Sequence, residues 1–168
     1  MTETKKLRLL VGSDSAGFDY KDVILADLRA DDRVEVIEDL GVFAGDLEGG
    51  SYPSVAIAAG SKIIAGEADR AILFCGTGIG VAIAANKVSG IRATVAHDSF
   101  SVERSILSND CQILTMGQRV VGLQLARRLA KEWLGYVFDP STPSQAKVAE
   151  IIDYEGRSPA AAEAVACD

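Results

Sequence analysis

Cys75-Gly76-Thr77-Gly78-Ile79-Gly80 sets a thiol beside three glycines at alternating positions. Glycines let a backbone approach a ligand closely. Where such a loop runs into a helix, its outward N–H groups and the helix end together favour negative charge. A thiol placed there is one whose anion is favoured. A thiolate facing amide donors suits enediolate chemistry, which needs a base for a carbon-bound proton and a cradle for the developing oxyanion. Read locally, the segment is open to a second use: a small buried side chain ending a strand, followed by a tight turn. A dinucleotide site fits less well, because the spacing is GxGxG and not GxGxxG and it follows the third strand instead of the first.

Four further places carry usable groups. Asp14-Ser15-Ala16-Gly17 follows the first apolar run, where Asp14 could bond substrate hydroxyls or simply cap a helix. His97, the only histidine, stands beside Asp98. Asn109-Asp110 precedes the last strand, and Gly117-Gln118-Arg119 follows it, with Arg119 where a phosphate would bind.

Short apolar runs alternate with helical patterns and position these groups. Strands are predicted at Leu7–Gly12, Val34–Glu38, Arg70–Cys75, Ile91–Ala96 and Gln112–Met116. Helices are predicted at about 17–30, from Pro53 to about 65, and at 81–88, 99–107 and 144–154. Another helix places Val121, Leu125, Leu129 and Trp133 on one face, with Gln124, Arg127, Arg128 and Lys131 opposite. Residues 40–51 form a Gly-rich loop. This alternation predicts a single-domain α/β fold over residues 1–156: a doubly wound, Rossmann-like, five-stranded parallel sheet with helices on both faces. Residues 157–168 are read as a C-terminal tail. Ligands in such sheets bind beyond the carboxyl ends of the strands, which is where Ser13–Gly17, Cys75–Gly80, His97–Ser99 and Gly117–Arg119 fall.

A chain of 168 residues suffices for one full core. Three scattered cysteines, Cys75, Cys111 and Cys167, form neither a disulfide framework nor a zinc site. The net charge of −7 argues against nucleic acid and anionic membranes as partners. The lack of a secretory signal or a long apolar run points to the cytoplasm.

Taken together, the segments resemble the ribose-5-phosphate isomerase B and galactose-6-phosphate isomerase family. The resemblance runs from Leu7 to about Tyr154 and is carried by Cys75–Lys87, Gly90–Ala93, His97–Ser101, Asn109-Asp110 and Gly117–Val120. It implies an aldose–ketose isomerase of a small phosphorylated sugar, working without metal or cofactor, with Cys75 as base. It also implies that Gly76, Thr77, Gly78 and Gly80 hold the enediolate and that Asp14 and Asn109 bind substrate hydroxyls. A homodimer or homotetramer with shared active sites is implied as well.

The departures from the family pattern bear on the substrate. Ser15 stands where the family has histidine after the first aspartate, and Ser108 where it has histidine before Asn109. Residues 138–147 lack the family's two phosphate-binding arginines, leaving Arg119 and Lys147, with Ser15 or Thr142, for the phosphate. The family's histidine before the asparagine is similar to a group that opens a pentose furanose. A tetrose 4-phosphate cannot close a furanose, because its C4 oxygen carries the phosphate. The expected reaction is therefore D-erythrulose 4-phosphate to D-erythrose 4-phosphate, with ribose 5-phosphate isomerisation as the alternative if His97 reaches the ring oxygen. Thr77 or a water is the expected relay for the hydroxyl proton. A non-catalytic sugar-phosphate sensor is the reading from another class, and the joint presence of Cys75, the glycine loop and Asn109 argues against it.

Overall fold

The computed structural model describes residues 6–156. The element order is β1 (Leu7–Ser13), α1 (Phe18–Arg29), β2 (Val34–Gly41), α2 (Tyr52–Ile64), β3 (Arg70–Cys75) and α3 (Ile79–Ala85). Then come β4 (Ala93–Val95), α4 (Ser99–Leu107), β5 (Ile113–Gly117), α5 (Leu123–Trp133) and α6 (Ser144–Gly156). The five strands are all parallel, in the order β2-β1-β3-β5-β4. The expected α/β architecture is present. The predicted tail, with Cys167, lies outside the described residues. Among the described residues no helix is long and apolar enough to cross a membrane.

Strand side chains alternate between two cores, because successive residues point to opposite faces. Leu9, Val11, Ile72, Phe74, Leu114 and Met116 meet α1, α4 and α5 on one face. Leu10, Leu73, Cys75 and Ile113 meet the Ala-rich α2 and α3 on the other. The order of strands creates a switch point between β1 and β3, since the chain leaves β1 toward β2 and returns on its other side.

Several boundaries depart from the sequence reading. Strand β2 runs on to Gly41, with an irregularity opposite Leu9/Leu10, and β4 is cut to three residues at the sheet edge. The buried face of α5 is Ala126, Leu129, Ala130 and Trp133, while Leu125 is 41% exposed and Val121 lies ahead of the helix. A strict four-residue row drifts by about 40° per step around a 3.6-residue turn, so it leaves the face that alternating steps of three and four hold.

One strong interaction left no mark in the sequence pattern. Lys21 is buried on α1, its Nζ 2.7 and 2.9 Å from the two Asp39 carboxylate oxygens and 2.8 Å from the Val42 carbonyl. It ties α1 to the end of β2 and the loop that follows. Asp39→Ala, which strands the buried ammonium, is expected to cost about 3–5 kcal/mol in urea unfolding. The paired change Lys21→Met with Asp39→Leu removes both charges and is expected to cost much less.

Candidate active site

The loops after β1, β3 and β5 converge at the carboxyl edge of the sheet. After β1, Gly17 N–H donates to the Asp14 carbonyl (3.2 Å), and Ala16 N–H to Asp14 Oδ1 (3.0 Å). This local turn replaces helix capping: α1 is preceded by Gly17 and has no side-chain cap of its own. Its Tyr20 N–H donates instead to Gln118 Oε1 (3.2 Å), whose Nε2 donates to Asp19 Oδ2 (2.8 Å). Asp14 is half-buried and Ser15 exposed, neither committed to the helix. The turn lies hard against β3, since a Cβ on Gly17 would come within 2.6 Å of the Phe74 carbonyl carbon.

After β3, Cys75 is buried, with its Sγ accepting the Gly78 N–H at 3.0 Å. Gly78 itself sits at φ +80°, a conformation glycine adopts without strain. Thr77 is exposed, and its Oγ1 accepts the Ile79 N–H (3.3 Å). The N–H groups of Gly76 and Thr77 have no partner among the described residues. The loop leads directly into α3, whose N-cap is Gly78, so these open amides lie next to the first turn of a seven-residue helix.

After β5, Gln118 N–H donates to the Cys75 carbonyl and Arg119 N–H to the Gly76 carbonyl, both at 3.0 Å. The Arg119 guanidinium lies over Gly76, 3.5 Å from where a Cβ would stand, with the Ala16 methyl equally near. Arg119 is exposed and has no acidic partner among the described residues. An unpaired guanidinium beside open amides and a thiol is a place for a phosphorylated, oxyanion-forming ligand.

Asp14, Ser15, Cys75, Gly76, Thr77, Gly78, Gly80, His97 and Arg119 thus share one edge of the sheet. Asn109 and Lys147 do not join them. Asn109 precedes β5, whose Ile113 pairs with Ala71 while Gly117 pairs with Cys75. Four strand residues alone separate those ends by about 13 Å. Asn109 is exposed, donating from Nδ2 to the Arg104 carbonyl (3.2 Å). Lys147 is exposed on α6, whose Glu155 Oε2 accepts the Gly90 N–H (2.8 Å) ahead of β4.

Three contributors were not read from the sequence. Thr115 Oγ1 donates to the Gly78 carbonyl (2.8 Å). The Tyr52 ring covers Gly80, 2.8 Å from where a Cβ would stand. Arg92 holds the Asn109-Asp110 turn through the Asn109 carbonyl (2.8 Å), the Asp110 carbonyl (2.8 Å) and Asp110 Oδ2 (2.9 Å). No local pattern marks them, because each acts on a residue distant in sequence. Of the other described cysteines, Cys111 is buried, which pushes its thiol up to about 12.

The profile described as Ribose/Galactose Isomerase matches residues 9–151. D-erythrulose-4-phosphate isomerase 2 of Mycolicibacterium smegmatis is 61% identical over 150 residues, 89% of this chain and 98% of that one. Ribose-5-phosphate isomerase B of Escherichia coli is 41% identical over 132 residues, 79% and 86% of the two chains. Among solved structures, ribose-5-phosphate isomerase B of Clostridium thermocellum aligns with a TM-score of 0.80 at 34% identity, covering 90% of this chain and 99% of that one.

Proposed function

The chain belongs to the ribose/galactose isomerase family and is a sugar-phosphate isomerase, and we propose that its physiological reaction interconverts D-erythrulose 4-phosphate and D-erythrose 4-phosphate. One observation carries the choice of sugar. The sequence has a single histidine, His97, and the lone pair of its Nε2 accepts the Gly117 N–H at 2.9 Å. With Ser108 ahead of Asn109, the histidine that would open a furanose is missing, the one imidazole present is held in the fold through Nε2, and the tetrose phosphate has no ring to open. The 61% identity to a D-erythrulose-4-phosphate isomerase supports the same reading.

In the proposed mechanism, the Cys75 thiolate, held by the Gly78 N–H, takes the proton from C2 of the aldose or C1 of the ketose. The open amides of Gly76 and Thr77 stabilise the cis-enediolate, within the loop shaped by Gly78 and Gly80. Cys75 returns the proton to the adjacent carbon, while Thr77 or a water moves the hydroxyl proton. Asp14 binds a substrate hydroxyl, and Arg119 holds the phosphate with Ser15.

Asn109 and Lys147 serve the site of a neighbouring subunit, in a homodimer or a homotetramer built from such dimers. Support comes from their positions away from Cys75 and from α6, which buries only Val148 and leaves Ile151, Ile152 and Tyr154 exposed. A helix so apolar on its outer side is suited to being covered by a second copy. A sugar phosphate does not cross membranes unaided, which fits a cytoplasmic enzyme.

A side-by-side assay tests the substrate. kcat/KM for D-erythrulose 4-phosphate is expected to exceed that for D-ribose 5-phosphate by about a hundredfold, the scale of a lost general acid. Equal or reversed preference would overturn the tetrose reading and leave the isomerase in place.

A further inference from the structure

Strands β4 and β5 pair from Ala93↔Ile113 to Val95↔Thr115, and the Ala96 N–H then donates to the Thr115 carbonyl (3.3 Å). Beyond that the β4 chain turns away into Asp98, which caps α4 by accepting the Ser101 N–H (2.8 Å). The buried Gly117 N–H is therefore left without a main-chain acceptor, a vacancy that costs about 1–3 kcal/mol when unfilled. His97 fills it with Nε2 at 2.9 Å. An imidazole that accepts at Nε2 is neutral and carries its proton on Nδ1.

Gly117 is also the floor of the catalytic loop. A Cβ there would lie 2.5 Å from the Thr77 carbonyl carbon and 2.6 Å from its Cα, so the two backbones are in direct contact. From the other side, a Cβ on Gly78 would lie 3.1 Å from Gly117 N and 2.9 Å from Val95 Cγ2. The Gly78 carbonyl is pinned by Thr115, and its N–H is the donor to Cys75 Sγ. A continuous path of contacts thus runs from the imidazole through Gly117 to the amide that holds the thiol.

We infer that His97 is a positioning residue: its Nε2 ends the β4–β5 ladder and sets Gly117 beneath the Cys75 loop, in place of donating a proton to substrate. Burial holds the His97 imidazole below its ordinary value, with Asp98 only partly opposing this, which keeps the accepting form present at neutral pH. By linkage, that stabilisation is full above the unfolded value of about 6.5 and is lost as pH falls through the lower folded value. The inference deepens the isomerase reading, and through it the preference for a substrate with no ring to open.

Because His97 is the only histidine, imidazole nitrogen NMR of the 15N-labelled wild-type protein reports on it without ambiguity. The expected spectrum shows a protonated Nδ1 and an unprotonated, hydrogen-bonded Nε2 at pH 7.5. A protonated Nε2 would overturn the assignment, whatever the substrate. Variants add the kinetic test. Glutamine reaches about as far as Nε2 and offers an acceptor without a titratable proton, so His97→Gln is expected to keep kcat on the tetrose within about threefold. His97→Ala should lose about ten- to a hundredfold in kcat with KM little changed, the equivalent of the unfilled N–H. If His97→Gln were as slow as His97→Ala, or if His97→Ala kept full activity, the positioning role would be refuted. Loss confined to D-ribose 5-phosphate would instead identify a ring-opening acid. The NMR result needs neither a folded variant nor a substrate, so it can fail or hold independently of the proposed reaction.

Discussion

Cys75→Ala is expected to lower kcat on the tetrose phosphate by about a thousandfold or more, because it removes the base proposed for the carbon-bound proton. The fold should survive. The lost thiol leaves the buried Gly78 N–H without its acceptor, which costs about 1–3 kcal/mol. A domain of this size has about 5–15 kcal/mol of stability to draw on. Urea unfolding and far-UV circular dichroism separate loss of chemistry from loss of structure. Cys75→Ser sharpens the test, since a hydroxyl can still accept the Gly78 N–H but forms no useful anion at neutral pH; it should be nearly as stable as wild type and as inactive as alanine. Cys111→Ala is the matching control. That thiol is pushed up to about 12 by burial, and its loss should leave kcat unchanged. A folded Cys75→Ala protein with more than about one per cent of wild-type turnover would refute the assignment of the base.

How far the site was legible in the sequence follows from where its interactions run. The strand–loop–helix around Cys75 was readable because everything it needs is contiguous: an apolar run, a thiol at its end, and glycine at the one place where φ is +80°. The carboxyl-edge rule then gathered Asp14, His97 and Arg119 correctly, since it depends only on strand direction. What the rule could not supply was the partner of each group. Asp14 had the usual type and place of a helix cap, yet Gln118, about a hundred residues away, bonds the first turn of α1 in its stead. His97 had the type and place of a proton donor, yet a ladder that stops one bond short claims its lone pair. In the same way, the sequence places Gly117 at the end of the last strand but not the Thr77 backbone 2.5 Å from where its Cβ would be.

Asn109 poses the remaining question, and its answer is expected from a mixture of two inactive proteins. Cys75→Ala lacks the base, and Asn109→Ala lacks a ligand for a substrate hydroxyl, so each alone should be nearly inactive. Within one chain the two residues lie at opposite ends of β5, too far apart for one small sugar phosphate to bridge. If each site combines Cys75 of one subunit with Asn109 of its neighbour, a hybrid dimer has one site carrying both defects and one carrying none. Co-refolding equal amounts should therefore restore about a quarter of wild-type activity, half the dimers being hybrids with one intact site each. The side chain has a rigid mount for such a task. Arg92 clamps the carbonyls of Asn109 and Asp110, and Asp110 itself sits at φ +47°, a left-handed conformation that aspartate tolerates better than most side chains. Arg92→Ala should accordingly weaken the mixture's recovery when placed on the chain that supplies Asn109 and leave it unaffected on the chain that supplies Cys75. If the mixture stays inactive while size-exclusion chromatography shows that hybrids form, the shared site is wrong and Asn109 only holds its own turn. Recovery near a quarter would make the dimer, not the single chain, the smallest unit that can turn the substrate over.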